Sequence, residues 1–143
     1  MIELKEIEQK LKLQRFANIH KEEDRLIVRC ERVVNKLPYQ IFYFDYSDSL
    51  EQIQDLDGYV ETLLADDYYQ NPGFLQWNYY LAFLTTRGYD PETVNGIERN
   101  TEYARKFVLR YEDFDKWLST QFEMDSMRLK NTTRKPPVRT KNR

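Results

Sequence analysis

The sequence holds one cysteine, one histidine and four glycines among its 143 residues. A lone cysteine forms no disulfide within the chain. Cys30 sits in an alternating apolar run with no second ligand beside it, which points to a buried thiol in a reducing compartment. The lone histidine, His20, stands among Lys21, Glu22, Glu23 and Asp24, so a histidine-rich metal site or a Ser-His-Asp arrangement has little to build on. Ile41 to Asp45 has the form of the acid-ended strand of nucleotide hydrolases. The chain has no GxxxxGK[ST] or GxGxxG pattern to cradle phosphates with backbone N–H groups, which argues against ATP binding by the chain itself. Long apolar runs are missing as well. No stretch approaches the roughly 18 apolar residues of a membrane span, and Met1 to Arg15 alternates charge with apolar residues, so the expectation is a cytosolic protein with no membrane partner.

Charge of one sign is missing in two places. Between Glu51 and Thr86 there is no basic residue, and after Asp125 there is no acidic one. Seven of the 22 basic residues, Arg128, Lys130, Arg134, Lys135, Arg139, Lys141 and Arg143, lie past that point, which leaves 15 against all 24 acids and gives residues 1–127 a charge of about −9. The expected organisation is one domain over 1–127 and a basic, flexible tail over 128–143, where Pro136-Pro137 lies among Lys, Arg, Thr and Asn without periodicity.

Hydrophobic residues at 41% and aromatic ones at 15% suffice for a core built largely from rings. Ile2, Leu4, Ile7, Leu11 and Leu13 predict an amphipathic helix. From Arg25 the period changes to two, which predicts a strand with one wet, charged face. Tyr39 to Tyr46 is a nearly continuous aromatic run, the composition of a central strand buried on both faces. Ser49 to Gln52 resembles a capping box, and Leu50, Ile53, Leu56, Val60, Leu63 and Leu64 extend it into a helix from about 49 to 67. Asn71-Pro72-Gly73 marks a turn, and the alternation from Leu75 to Phe83 marks a third strand. Asp90 before Pro91 caps a short helical turn ending near Gly96. Residues 111–121 read as helix, and 103–110 fit helix or strand. The sum is an α+β fold: a small sheet of about three or more mainly antiparallel strands, with helices packed on it.

Three constellations bear on function. Asp66-Asp67 supplies oxygen ligands of the kind a hard cation needs, but neighbours on a helix point about 100° apart, so a third acid is required. A metal-dependent nuclease or phosphoesterase would draw Asp45, Asp48, Asp66 and Asp67 onto Mg²⁺. A restriction-type nuclease would instead carry Asp/Glu-x-Lys on a strand, and Glu3-Leu4-Lys5 at the extreme N-terminus does not fit that pattern. The rings from Tyr68 to Phe83 could stack bases, yet such platforms are interleaved with cations, which are absent here. They read better as core, or as core plus a protein-binding patch at Trp77, Tyr79 and Tyr80. The tail remains as a sequence-independent binder of nucleic acid backbone, with its seven cations as the contacts.

Asp66-Asp-Tyr-Tyr-Gln-Asn-Pro-Gly-Phe-Leu-Gln-Trp-Asn-Tyr-Tyr-Leu81 and Ile97-Glu-Arg-Asn-Thr-Glu-Tyr-Ala-Arg-Lys-Phe107 resemble the middle-component proteins of prokaryotic ABC-three-component systems, and the likeness spans about half of the chain. In those systems a small middle component accompanies an ABC- or SMC-like ATPase and an effector subunit, in defence against phage and other foreign DNA. The resemblance implies a non-enzymatic adaptor without a cofactor. The residues imply, separately, a ring-rich acidic body able to dock on a basic partner surface.

Overall fold

The computed structural model describes residues 2–70 and 78–121. Helix α1, Leu4–Leu13, turns Ile7 and Leu11 into the core and leaves its lysines and glutamates outward. The chain then reverses into three antiparallel strands: β1, Ala17–Glu22; β2, Ile27–Val34; and β3, Leu37–Asp45. The β2–β3 connection is a two-residue turn, with Asn35 at φ 54° and Lys36 at φ 68°. Positive φ at both positions is what a type I′ hairpin requires.

After β3 a 3-10 turn, Leu50–Gln52, leads to helix α2, Leu56–Gln70. Strand β4, Tyr79–Thr85, pairs parallel with β3. Helix α3, Pro91–Glu98, then leads to β5, Arg105–Arg110, which pairs parallel with β4. A second 3-10 turn, Tyr111–Asp113, runs into helix α4 at 114–121. The five strands lie in sequence order, β1-β2-β3-β4-β5, so the fold is α+β with β3 at the centre. Antiparallel pairing holds for the first three strands. The last two join in parallel, because a helix between consecutive strands carries the chain back to the end where it started.

Alternation along the strands divides the interior in two. Val28, Cys30, Phe42, Phe44, Tyr80, Ala82 and Leu84 face Ile7 and Leu11 of α1 and Phe114 and Leu118 of α4. Ile27, Ile41, Tyr43, Tyr79, Leu81 and Phe83 face Val60, Leu63 and Leu64 of α2, with Ile97 of α3 beside them. Three layers result. Phe42 is the hub of the first, with ring centroids 4.7 Å from Tyr80, 5.2 Å from Phe16 and 5.9 Å from Phe44.

Several expectations shift. Asp90 caps α3 as expected, its side chain accepting from Thr93 N at 2.8 Å, but the helix continues past Gly96 to Glu98. The segment 49–52 is a separate 3-10 turn with no side-chain cap from Ser49, and α2 begins seven residues later than Ser49. Asp55 does the capping there, through Oδ1 to Gly58 N at 3.1 Å. Of the open stretch 103–110, residues 105–110 are strand. The Asn71-Pro72-Gly73 turn lies outside the described residues.

Candidate functional site

Tyr79 and Tyr80, expected as core or as core plus a partner-binding patch with Trp77, are core residues at 1% and 8% exposure. Consecutive positions on β4 send them to opposite faces of the sheet. Tyr80 stacks on Phe42 and accepts from Gln40 Nε2 at 3.1 Å, while the Tyr79 hydroxyl donates to the Asp67 main-chain oxygen at 3.0 Å. Both described members of the expected patch are therefore buried. Trp77 and the seven tail cations, Arg128, Lys130, Arg134, Lys135, Arg139, Lys141 and Arg143, lie outside the described residues.

The four candidate metal acids are not brought together. Asp45 closes β3 and is buried, where it accepts from Ser47 N at 3.0 Å, Ser47 Oγ at 2.6 Å and the Tyr59 hydroxyl. Burial, then the Asp45 charge, pushes the Tyr59 phenol well above its ordinary value. Asp48 holds the backbone N–H and hydroxyl of Thr86. Asp67 lies eight residues beyond Tyr59 on α2, about 12 Å of helix rise away, whereas the ligands of one hard cation sit within about 2–2.6 Å of it. Asp66 beside it is exposed. Among the described residues no group of three or more His, Cys, Asp or Glu is placed to hold a metal ion.

Asp67 belongs to a different construction. Arg29 on β2 reaches it with two nitrogens, Nε to Oδ2 at 2.6 Å and Nη2 to Oδ1 at 3.2 Å, and Tyr43 on β3 donates to Oδ2 at 2.5 Å. Arg29 Nη1 also donates to Glu31 at 2.9 Å, and Asn18 of β1 donates to the other oxygen of Glu31 at 2.7 Å. Burial alone would raise the Asp67 pKa, but the Arg29 and Tyr43 hydrogen bonds outweigh it and hold the carboxyl below its ordinary range. The charged face of β2, expected to be wet, thus clamps the end of α2 to three strands.

Just past this clamp three tyrosines form a corner, in which Tyr69 is exposed and Tyr68 and Tyr103 are half-buried against the core. Tyr68 meets Tyr69 at 5.3 Å and 90°, and Tyr103 at 5.1 Å and 79°, while Tyr69 and Tyr103 stand 6.2 Å apart at 88°. Their outer hydroxyls, on Tyr69 and Tyr103, are 3.4 Å apart. Tyr69 is 64% exposed, and Tyr103 holds φ at 67°, a left-handed conformation that a bulky side chain rarely adopts. The Tyr69 hydrogen bond, then burial and the Glu61 charge, pushes the Tyr103 phenol up to about 12. Along its length α2 exposes Asp57, Glu61 and Asp66, with Asp57 also accepting from Asn100 Nδ2 at 2.7 Å. No lysine or arginine lies on α2.

Sequence reasoning located the acidic stretch but not the corner, because Tyr103 comes from the segment that fitted helix or strand equally. The Arg29–Asp67 pair spans 38 residues and depends on strand register, which leaves no local signal.

Fold and surface together define a three-layer α+β domain that exposes the Tyr69 ring and several carboxylates along α2. Compared with protein families, curated proteins and solved structures, the chain matches none.

Proposed function

We propose that the chain is a non-enzymatic adaptor, a protein-binding subunit that docks a basic partner on the outer face of α2 and the tyrosine corner. The observation that carries this is the exposed Tyr69 braced at right angles on Tyr68 and Tyr103, with Asp66 one turn before it on α2 and the Glu61 charge acting on Tyr103. Rigid rings supply contact area at low entropy cost, and an arginine or lysine of the partner gains from both a ring face and a nearby acid. The surrounding negative charge speeds the encounter.

The resemblance to the middle components of ABC-three-component systems supplies the working identity of the partner: an ABC- or SMC-like ATPase in a prokaryotic defence complex that also holds an effector. The test is size-exclusion chromatography with light scattering on the full chain, alone and with the ATPase encoded beside it. Co-migration is expected, with at least a tenfold loss of affinity in Tyr69→Ala and in Glu61→Lys. A chain that never co-migrates, or that binds equally well with both substitutions, overturns the reading.

A further inference from the structure

Among the described residues hollows open where the parallel strands finish, one of them a cleft of about 620 Å³ between the β1–β2 turn and the start of α2. Small-ligand sites commonly measure about 300–1,000 Å³ and favour the carboxyl ends of such strands. The nearest lining residue of this cleft on α2, Leu63, lies six residues before Tyr69, about 9 Å by helix rise, and none of the three corner tyrosines lines it.

Its chemistry is divided. Ile53, Tyr59 and Leu63, the more buried lining residues, make an apolar floor, and Ser49, Gln52, Gln54 and Thr62 make a neutral polar rim. Two charged side chains line it, Arg25 from the β1–β2 turn and Asp55 from the approach to α2. Glu22 holds Arg25 through Nε and Nη2, and Nη1 has no partner among the described residues. Asp55 accepts from Gly58 N through Oδ1, so the first turn of α2 is already capped and the helix end is not left to attract an anion. A Cβ on Gly58 would collide with Asp55 Oδ2, so glycine there keeps the carboxylate seated at the cleft wall. A carboxylate has about four acceptor positions, which leaves Asp55 able to take a further donor.

We propose that this cleft binds a small zwitterion with an apolar side chain, of the class of the free hydrophobic amino acids: its carboxylate on Arg25, its ammonium on Asp55, its side chain on Ile53, Tyr59 and Leu63. A single cation, a single anion and an apolar floor match that class, and each half of the charge pattern selects against a ligand with only the other. A ligand of about a dozen heavy atoms at ordinary efficiency binds with a Kd of about 2 mM.

The experiment titrates the full chain with L-phenylalanine and follows backbone amide shifts by NMR. Saturable shifts at Gly58, Tyr59 and Thr62 are expected. N-acetyl-L-phenylalanine and L-phenylalaninamide, each lacking one charge, bind about fivefold more weakly, and glycine, lacking the apolar body, does not bind. Arg25→Gln erases the difference between phenylalanine and its amide, and Asp55→Asn, which keeps an acceptor for Gly58, erases the difference from the acetylated form. Thr62→Trp, at an exposed rim position, fills the cleft and abolishes binding while the circular dichroism spectrum stays native. Shifts that do not saturate or that map elsewhere overturn the proposal. So does equal binding of the three phenylalanine derivatives, or a Thr62→Trp chain that still binds.

Discussion

Adjacent aspartates on α2 make a sharp comparison, because Asp66 is exposed while Asp67 carries the clamp between α2 and the sheet. The Arg29 and Asp67 side chains are 21% and 17% exposed. Removing one partner of a fully buried pair costs about 3–5 kcal/mol, and an exposed pair is worth about 0–1. At this partial exposure, with the Tyr43 hydroxyl also losing its acceptor, Asp67→Ala should cost about 2–3 kcal/mol, or about 6–12 °C in Tm. Asp67→Asn keeps an acceptor for Tyr43 and should lose about half of that. Asp66→Ala should stay within about 0.5 kcal/mol of the parent. Urea unfolding followed by circular dichroism measures all three, and combining Arg29→Met with Asp67→Ala should show a coupling of about 1–2 kcal/mol. The pH dependence has a definite sign. The folded-state pKa of Asp67 is depressed, so its contribution is full above the ordinary carboxylate value of about 4 and is lost as pH falls through the lower folded value, where parent and Asp67→Asn converge. If Asp66→Ala and Asp67→Ala cost the same, or if Asp67→Ala costs under about 1 kcal/mol, the clamp does not hold α2 as argued.

Three further outcomes follow from single buried contacts. The Lys106 ammonium donates to the carbonyls of Asn100, Glu102 and Ala104 at 2.8, 2.8 and 3.1 Å and to Asn100 Oδ1 at 3.1 Å, so Lys106→Met should leave those acceptors bare and cost about 2 kcal/mol in urea unfolding at pH 7. Burial lowers the Lys106 pKa, the unfolded chain therefore binds the extra proton up to about pH 10.5, and stability should rise with pH in that window in the parent but not in Lys106→Met. Cys30 is fully buried and burial pushes its thiol up, so a thiol reagent at pH 8 should label it only at the rate of unfolding; labelling at the speed of a free thiol contradicts its placement. Glu98 accepts from the Val108 N–H at 3.0 Å on the edge strand β5, so Glu98→Ala should cost about 1 kcal/mol and promote concentration-dependent association in light scattering, while Glu98→Gln retains most of the parent behaviour.

What could be read in advance was what local chemistry decides. Tyr39 to Tyr46 announced the central strand because only a strand covered on both faces holds aromatic residues on each side, and Asp90-Pro91 announced a helix start because both residues suit that position. Ala17–Glu22 gave no such sign. It is an edge strand with a bulge and polar side chains, and its sequence reads as a solvated loop. The start of α2 was misplaced because apolar spacing continues through the 3-10 turn, where the Ser49 hydroxyl meets Ser47 Oγ at 2.8 Å and caps nothing. At the site, the acidity of α2 was visible as a missing charge. The burial of Tyr79 and Tyr80 on opposite faces was implicit in the two-residue period, and the Arg29–Asp67 clamp was not, because it exists only once β2, β3 and α2 are in register.

The polar side chains of this domain divide into those already committed and those left outward. Asp45 holds Ser47 and Tyr59, Asp48 holds Thr86, Asp67 holds Arg29 and Tyr43, and Lys106 is wrapped by carbonyls. Each is held by hydrogen bonds that tie one element of the fold to another or close a loop. Glu61, Asp66 and the exposed ring of Tyr69 stand outside that set, Asp66 one turn before Tyr69 on α2 and Glu61 near enough to Tyr103 for its charge to act there. Carboxylates in that position are fully solvated and contribute little to folding. They contribute to long-range attraction, which salt screens over roughly 8–10 Å. Partner association through this face should therefore slow steeply as ionic strength rises, while dissociation, governed by ring contacts, changes little. An association rate indifferent to salt would move the docking surface away from α2.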